Sequence, residues 1–437
     1  MMTDTIQLEA LRWLVSPKTG ILRRLERRMT SADEPPLPIL YDGQLSNFDF
    51  KNADPLERGS CGKNVSDAAA QIGAIGEAVE HYCAYHANIQ HLRRAAIGSL
   101  ENAIGPEEFV PFAEAQYQRP GFRFVKWTPE SEIGWLPARE LPRRNRVWVP
   151  ASLVYLNYTG DQPQDFFCPP TSSGSAAGRD LDNAIFRGLM ENIERDAFMV
   201  TWLNRLPAPV IDFSRLSGPC GVIRDHYARY GVEVRAYLMA TDLPVTAVMA
   251  VGFQRTGDGP AAVVGLGCSF DPESALRGAL FEVCQVRPGE RIKHAEGAAA
   301  KLNSYSDIHT LEDHAAYFTR ADHLHEFDFL GSQSPSVRLE DLENRSTAST
   351  EGDLSLIVAA LQAIGSRAVF ADLTTPDLQD FPIRVVRALA TGLQPIAFGH
   401  DLQRLGGRRL YELPAKLGLD TAARASADLN PCPHPLA

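Results

Sequence analysis

Residues 172–198 read SSGSAAGRDLDNAIFRGLMENIERDAF and carry the clearest structural signal in the chain. The opening run of small residues is typical of a turn. From about Asp182 to Asn204, apolar residues then recur every three or four positions, which predicts a long helix with one buried face. Glu191 and Glu194 lie three positions apart, so they project from the same side of that helix.

A second long helix is predicted within residues 66–91, and it carries Glu77 and Glu80 at the same spacing. A third is predicted at about 273–286, where Pro288 ends it. Segments rich in β-branched residues precede these helices. Strands alternating with long helices, and a repeated Glu-x-x-Glu pattern, predict an α/β (α+β) fold of duplicated strand and long-helix units around a cleft.

Several other segments carry weaker signals. Residues 6–15 predict a helix, and PPLPILYDG at 35–43 predicts an extended edge segment because of its prolines. Residues 300–350 are polar, which favours a surface insertion. We expect the histidines of that insertion to lie at the surface; they are His309, His314, His323 and His325.

Composition excludes several classes of protein. The 437 residues carry 43 Lys and Arg against 54 Asp and Glu, a formal net charge of −11, which disfavours binding to nucleic acid. No apolar run is long enough to span a membrane, and the first residues lack the pattern of a secretory signal. The seven scattered cysteines predict mostly buried thiols in a cytoplasmic protein rather than a disulfide or zinc scaffold.

The two glutamate pairs are the best candidates for chemistry. Four carboxylates from two helices suit Mg²⁺, which prefers oxygen ligands and often binds substrate phosphates as well. A lone Glu-x-x-Glu is common on solvated helix faces, so each pair by itself has an ordinary structural explanation. Both pairs are flanked by apolar residues rather than by charge runs, which favours the functional interpretation.

The end of the chain is a second candidate. Residues 431–435 read PCPHP, and alternating prolines favour a stiff, extended conformation. A frayed terminus is the ordinary alternative. A stiff segment is better suited to inserting into a groove.

In these motifs the chain resembles the YcaO-domain family, and within that family the D proteins of azoline-forming cyclodehydratases. The resemblance covers residues 61–437, with residues 1–60 as an N-terminal segment. It rests on the stretches at 61–84, 172–198, 275–287, 385–399 and 409–418 and on PCPHP.

The resemblance implies an ATP- and Mg²⁺-dependent enzyme that phosphorylates a backbone amide oxygen and closes Cys, Ser or Thr residues of a precursor peptide into azolines. It implies metal ligands at Glu77, Glu80, Glu191 and Glu194. It implies a nucleotide site formed by Lys63, Glu77, Glu80, Arg179, Glu191, Arg195 and Glu282. Glu191, Glu194 and Glu282, with the tail prolines Pro431, Pro433 and Pro435, are the implied catalytic residues.

The chain departs from the family pattern at five positions around this pocket: Gly73, His81, Arg179, Asn183 and Gly278. Two alternatives therefore stay open. One is a catalytically degenerate paralogue that docks a peptide or partner, and the other is a different YcaO enzyme, such as a thioamide former or a methylthiolation accessory. Expected partners are the precursor peptide, a separate leader-binding E1-like protein and a second copy of the chain.

Overall fold

The computed structural model describes residues 2–46, 59–85, 91–158, 160, 162–332, 335–419 and 425–436. Its helices are α1 (Met2–Leu11), α2 (Asp67–Tyr85), α3 (Glu114–Tyr117), α4 (Leu181–Leu203), α5 (Gly218–Arg229), α6 (Pro272–Ala295), α7 (Leu311–Tyr317), α8 (Thr350–Ala363) and α9 (Arg409–Lys416). Its strands are β1 (Leu22–Arg27), β2 (Ile39–Leu45), β3 (Gly59–Asn64), β4 (Arg93–Ala95), β5 (Ile133–Glu140), β6 (Asn145–Pro150), β7 (Ser175–Gly178), β8 (Ile211–Asp212), β9 (Val232–Leu238), β10 (Thr246–Gln254), β11 (Ala262–Ser269), β12 (Val337–Arg338), β13 (Ala368–Asp372) and β14 (Arg384–Ala390).

Three antiparallel sheets form the framework. The first has the order β1-β2-β3 and the second β11-β10-β9. The third has the order β4-β5-β13-β14-β7, with β6 paired to β5. The prediction that PPLPILYDG lies at a sheet edge is wrong. Its residues from Ile39 onward belong to β2, which is the middle strand of its sheet. Pro35, Pro36 and Pro38 precede that strand, so they remove no hydrogen bond from its ladder.

The three long helices join these sheets into a ring. Helix α2 packs on β3 and reaches β7 of the next sheet; α4 packs on β14 and β7 and reaches β11; α6 packs on β11 and reaches β3. Each helix is therefore buried between two sheets, which accounts for its wide apolar stripe. The predicted fold of strand and long-helix units around a cleft is confirmed, with three such units rather than two.

Glycine allows α2 and α6 to lie directly on their strands. A Cβ atom on Gly62 of β3 would lie 1.8 Å from the carbonyl oxygen of Ala70, and one on Gly267 of β11 would lie 2.1 Å from that of Ala275. No side chain fits at those distances, so both contacts require glycine. The two contacts occupy the same place in their units.

The prediction that Pro288 ends the third helix is wrong, since α6 continues through it to Ala295. A proline inside a helix costs about 3 kcal/mol. Contacts on both sides offset this cost: Arg287 forms a buried ion pair with Glu34, and Arg291 Nη1 lies 2.7 Å from the Asp33 carboxylate. These pairs tie the last turns of α6 to the loop before β2.

The expectation of a surface insertion is wrong for residues 311–330. Tyr317, Phe318 and Phe327 are buried in one apolar cluster, where the two phenylalanine rings meet the Trp202 ring of α4 edge-on. Residues 343–349 are exposed, as expected. Aromatic residues within a polar stretch thus supply part of the core.

Two of the histidines in this stretch are buried, which corrects the expectation of surface histidines. His323 stacks on Tyr317 with ring centroids 3.7 Å apart, and His314 stacks on His434 at 4.1 Å. Hydrogen bonds to backbone carbonyls satisfy one ring nitrogen of each. His309 and His325 are exposed, as expected.

The cysteines are free thiols, and all except the partly exposed Cys61 and Cys268 are buried, as the sequence predicts. Within the described residues, every helix is too short or too polar to cross a membrane.

Candidate active site

Glu77 on α2 and Glu282 on α6 hold equivalent positions in their units. Oε2 of Glu77 accepts a hydrogen bond from the Cys61 amide at 2.7 Å, and Oε2 of Glu282 accepts one from the Leu266 amide at 2.5 Å. In both cases the amide lies 16 residues earlier, on the strand under the helix. Helix α6 lacks the Glu-x-x-Glu pattern, because the residue three positions after Glu282 is Gln285. The sequence pattern therefore pointed only to α2 and α4.

Glu80 and Glu191 are also anchored by backbone amides. Oε1 of Glu80 accepts from the Ala177 amide of β7 at 2.6 Å, and Oε2 of Glu191 accepts from the Gly174 amide at 3.1 Å. Burial raises the pKa of Glu80 to about 8, although Arg187 opposes the shift, and two neighbouring carboxylates add to it. The α2 and α4 carboxylates therefore lie close enough to repel one another.

Arg195 holds the α4 carboxylates together. Its Nη1 donates to Glu194 at 2.9 Å and its Nη2 to Glu191 at 3.4 Å. Burial raises the pKa of Glu194 to about 7 against the attraction of Arg195, and Glu282 and Glu191 raise it further. Lys63 on β3 is a second cation near Glu194. The structure thus brings together six of the seven predicted nucleotide-site residues from all three units: Lys63, Glu77, Glu80, Glu191, Arg195 and Glu282.

An open cavity of about 250 Å³ lies between α4 and β11 beside these carboxylates. Its lining is Phe186, Arg187, Met190, Glu191, Glu194, Cys268 and Ser269. Sequence reasoning missed Arg187, which lines this cavity and whose charge acts on Glu80. The helical period offered a signal, because residues 187, 191 and 194 share one face of α4.

Arg179, predicted to bind nucleotide, lies at the start of α4 rather than in the cavity. Its side chain is largely exposed, with Nε 3.3 Å from Asp180 and Nη2 donating to Thr350 Oγ1 at 3.2 Å. Asn183, at another altered position, accepts from the Arg179 amide at 3.4 Å. These contacts belong to the N-terminal cap of the helix.

The two altered glycines have a local explanation. A Cβ on Gly73 would lie 3.2 Å from Cα of Gly62, and one on Gly278 would lie 3.6 Å from Cα of Gly267, so both glycines face the close helix–strand contacts. His81 follows Glu80 on α2. Its Nδ1 is buried and has no hydrogen-bond partner in the described part of the chain.

The proline-rich tail is ordered against the end of α4. Trp202 Nε1 donates to the Cys432 carbonyl at 2.9 Å, and the Asn430 amide donates to the Leu203 carbonyl at 2.7 Å. Pro433 and Pro435 are buried, whereas Pro431 is exposed. The His434 ring packs edge-on against Phe198. Burial lowers the pKa of His434, and the positive charge of Arg195 helps to lower it.

The carboxylates fit Mg²⁺ held jointly with phosphate oxygens. No three His, Cys, Asp or Glu side chains meet at one point within the described ranges. Glu77, Glu80 and Glu282 each receive one hydrogen bond from a backbone amide, and no described residue donates to their other oxygen. Mg²⁺ commonly binds one or two carboxylates together with nucleotide phosphates and waters, which is what such a set can supply.

Two solved structures resemble this chain over most of its length. One is titled "Heterocyclase in complex with substrate and Cofactor"; it has a TM-score of 0.84 and 25% identity, and the match covers 99% of this chain and 57% of that one. The other is YcaO from Methanopyrus kandleri bound with AMPPCP and Mg2+, with a TM-score of 0.64, 22% identity, and coverage of 88% and 90%. The chain thus spans little more than half of the heterocyclase.

One relative from Methanothermobacter thermautotrophicus is named only "Uncharacterized protein". It is 28% identical over 355 residues, covering 79% of this chain and 84% of the relative. A second, from Rhizobium leguminosarum bv. trifolii and named "Uncharacterized protein in tfuA 3'region", is 29% identical over 247 residues, covering 52% and 54%.

The family model described as "YcaO cyclodehydratase, ATP-ad Mg2+-binding" matches residues 61–394, which is most of the chain. ATP and Mg²⁺ are the cofactors that this family model describes. The glutamates of α2, α4 and α6 all lie within the matched range. On this match and on the ring of three helix–sheet units that carries the carboxylates, the chain belongs to the YcaO family.

Proposed function

We propose that the chain is an ATP-dependent cyclodehydratase that converts Cys, Ser or Thr residues of a ribosomally made precursor peptide into azolines. The observation that carries this proposal is the tail. Two of its three prolines, Pro433 and Pro435, are buried where the tail packs on α4, the helix that bears Glu191, Glu194 and Arg195. A proline-rich end distinguishes azoline formers in the family that the sequence resembles.

In this reaction the thiol or hydroxyl of the substrate loses its proton and bonds to the preceding carbonyl carbon. The carbonyl oxygen takes a phosphoryl group and departs as phosphate, so its bond to carbon breaks, while the former amide nitrogen loses its proton and forms a C=N double bond to that carbon. When bound, ATP with Mg²⁺ supplies the phosphoryl group that makes this oxygen a good leaving group.

The chain's own residues provide a pre-oriented site for that chemistry. Hydrogen bonds from backbone amides fix the orientation of Glu77, Glu191 and Glu282. These carboxylates therefore need no rearrangement to bind a cation that also contacts the nucleotide phosphates. Arg195 and Lys63 balance part of the negative charge. We propose Glu77, Glu80, Glu191 and Glu194 as the metal-side carboxylates.

The test is a reaction of purified chain, ATP, Mg²⁺ and a precursor peptide, with a leader-binding partner added where one is encoded nearby. We expect mass spectrometry to show the loss of one water per modified residue. Peptide labelled with ¹⁸O in the backbone carbonyl should yield labelled phosphate. Glu191→Gln should abolish both signals, and Glu9→Gln, an exposed glutamate of α1 paired with Arg12, should leave them intact.

A docking subunit without catalysis is the second candidate. It is favoured by the departures at His81 and Asn183 and by the exposed side chain of Arg179. Tight binding of the peptide without ATP turnover or ring formation would support this candidate and refute the first. A product in which sulfur replaces a backbone oxygen would instead identify a thioamide former.

A further inference from the structure

A second pocket adjoins the carboxylate cleft on the neighbouring face of α4. It encloses about 50 Å³, and its polar lining includes Ser173, Asn192, Arg195, Arg387, Gln394 and Arg404. Asn192 and Arg195 come from α4, Arg387 from β14, and Arg404 from the loop before α9. Arg195 is common to both places, because its guanidinium also binds Glu191 and Glu194.

Two arginines of this pocket are buried without an ion pair. Arg387 is 4% exposed and Arg404 is 7% exposed. Arg387 donates only to neutral oxygens, from Nε to the Leu153 carbonyl and from Nη1 to Ser175 Oγ, both at 3.0 Å. Arg404 Nη1 donates to the Phe109 carbonyl at 3.1 Å. No carboxylate of the described residues forms a salt bridge with either.

The pocket holds an unused donor. Arg404 Nε is buried and has no hydrogen-bond partner among the residues that the structure describes. Burial lowers the pKa of Arg387 to about 10; the Glu191 carboxylate opposes this shift, and the proximity of Arg404 adds to it. Two guanidiniums that repel each other in a closed space are costly unless an anion joins them.

We propose that this arginine pocket binds a phosphoryl oxyanion, the phosphate that the proposed reaction produces. The volume suits one small anion rather than a nucleotide. Guanidinium groups present paired N–H donors that match the oxygens of phosphate. The identity of the anion rests on the proposed function, because azoline formation releases one phosphate per ring next to Arg195.

The first test measures binding without peptide or nucleotide. Wild-type protein is titrated with inorganic phosphate while its melting temperature and the ³¹P NMR linewidth of phosphate are recorded. We expect a saturable rise in melting temperature and broadening of the ³¹P signal. Both effects should disappear in Arg404→Met and in Arg387→Met.

The variants also separate binding from a structural role. Without phosphate, Arg404→Met should melt at a higher temperature than wild type, because it removes an unpaired buried charge. Arg404→Lys keeps the charge without the paired donors, so it should fold and bind phosphate more weakly. Arg408→Met is the matched control: Arg408 is exposed, pairs with Glu412 and should keep the full response to phosphate.

Competition identifies the source of the phosphoryl group. Phosphate binding that persists both in saturating ADP and Mg²⁺ and in a saturating non-hydrolysable ATP analogue would assign the pocket to released phosphate. Displacement by a non-hydrolysable ATP analogue but not by ADP would assign it to the γ-phosphoryl group.

Displacement by ADP, absence of a phosphate effect in wild type, or an effect that survives both methionine substitutions would overturn the proposal. Ring formation is measured separately. Phosphate binding without ring formation would therefore refute the function and leave the anion pocket standing.

Discussion

The imidazole rings of His314 and His434 stack with their centroids 4.1 Å apart and their planes 26° from parallel. His314 Nδ1 donates to the backbone carbonyl of His434 at 2.7 Å, and its Nε2 accepts from the Gly399 amide at 2.8 Å. Only a neutral ring can do both, because a protonated Nε2 would oppose the Gly399 N–H. The tail is therefore docked through a histidine that must stay uncharged.

We predict that acidification weakens this docking. Burial lowers the pKa of His314 from 6.5 to about 4, and that of His434 well below 6.5. The unfolded chain takes up these protons near pH 6.5 and the folded chain does not. The contribution to stability is therefore complete above pH 6.5 and is lost as the pH falls towards 4, by about 3 kcal/mol for His314 alone.

Urea unfolding of wild type and of His314→Gln across this pH range measures the effect. Asp313 and His400 are the titratable neighbours of His314, and Arg195 is the charged neighbour of His434, so all three are kept in both proteins. The free energy of unfolding should fall more steeply with acid in wild type than in the variant. Parallel slopes would contradict the prediction.

The hydrogen bonds from strand amides predict different results for two substitutions of the same glutamate. Glu282→Gln keeps an oxygen acceptor for the Leu266 amide, so we expect near-native stability with loss of Mg²⁺-dependent ATP binding. Glu282→Ala also leaves that amide unpaired, so it should lower the free energy of unfolding by about 1–3 kcal/mol besides abolishing ATP binding.

Calorimetry with ATP and Mg²⁺ measures the first effect, and chemical denaturation measures the second. The matched pair at Glu77, which accepts from the Cys61 amide, should behave in the same way. Equal stability of the glutamine and alanine variants would show that the amide finds another partner.

The glycine contact under α6 predicts opposite effects of two alanine substitutions. Gly267→Ala would place Cβ 2.1 Å from the Ala275 carbonyl oxygen, so it should lower the free energy of unfolding by several kcal/mol. Gly289 is exposed on the same helix with open space around it, and Gly289→Ala should stabilise the protein by about 0.5–1 kcal/mol. Thermal melting of the two variants measures the contrast, and similar shifts would refute it.

The buried pair between Glu34 and Arg287 predicts strong coupling. Glu34→Leu leaves the Arg287 charge without its nearest carboxylate and should cost about 3–5 kcal/mol. Adding Arg287→Met should recover most of that loss, because the unpaired charge is gone. A double-mutant cycle of unfolding free energies gives the coupling energy, and additive effects would show that the pair is not needed to hold the end of α6.

The sequence determined much of this protein through local patterns. Helical periodicity located α2 and α4, and the spacing of Glu191 and Glu194 placed both on one face. The β-branched segments predicted before the third long helix correspond to β9, β10 and β11. The motifs at residues 61–84, 172–198 and 275–287 indicated the family. These signals are local because helix faces and strand alternation depend on neighbours a few residues apart.

Which of these residues meet depends on contacts between distant parts of the chain. The equivalence of Glu77 and Glu282 depends on helices that pack on separate sheets, and α6 lacks the Glu-x-x-Glu pattern that marked α2. Pro288 stays inside α6 because Glu34 and Asp33 bind the helix from a distant loop. Long-range contacts also bury residues 311–330 and assemble the arginine pocket. Burial and charge compensation depend on residues that are far apart in sequence, so local patterns do not reveal them.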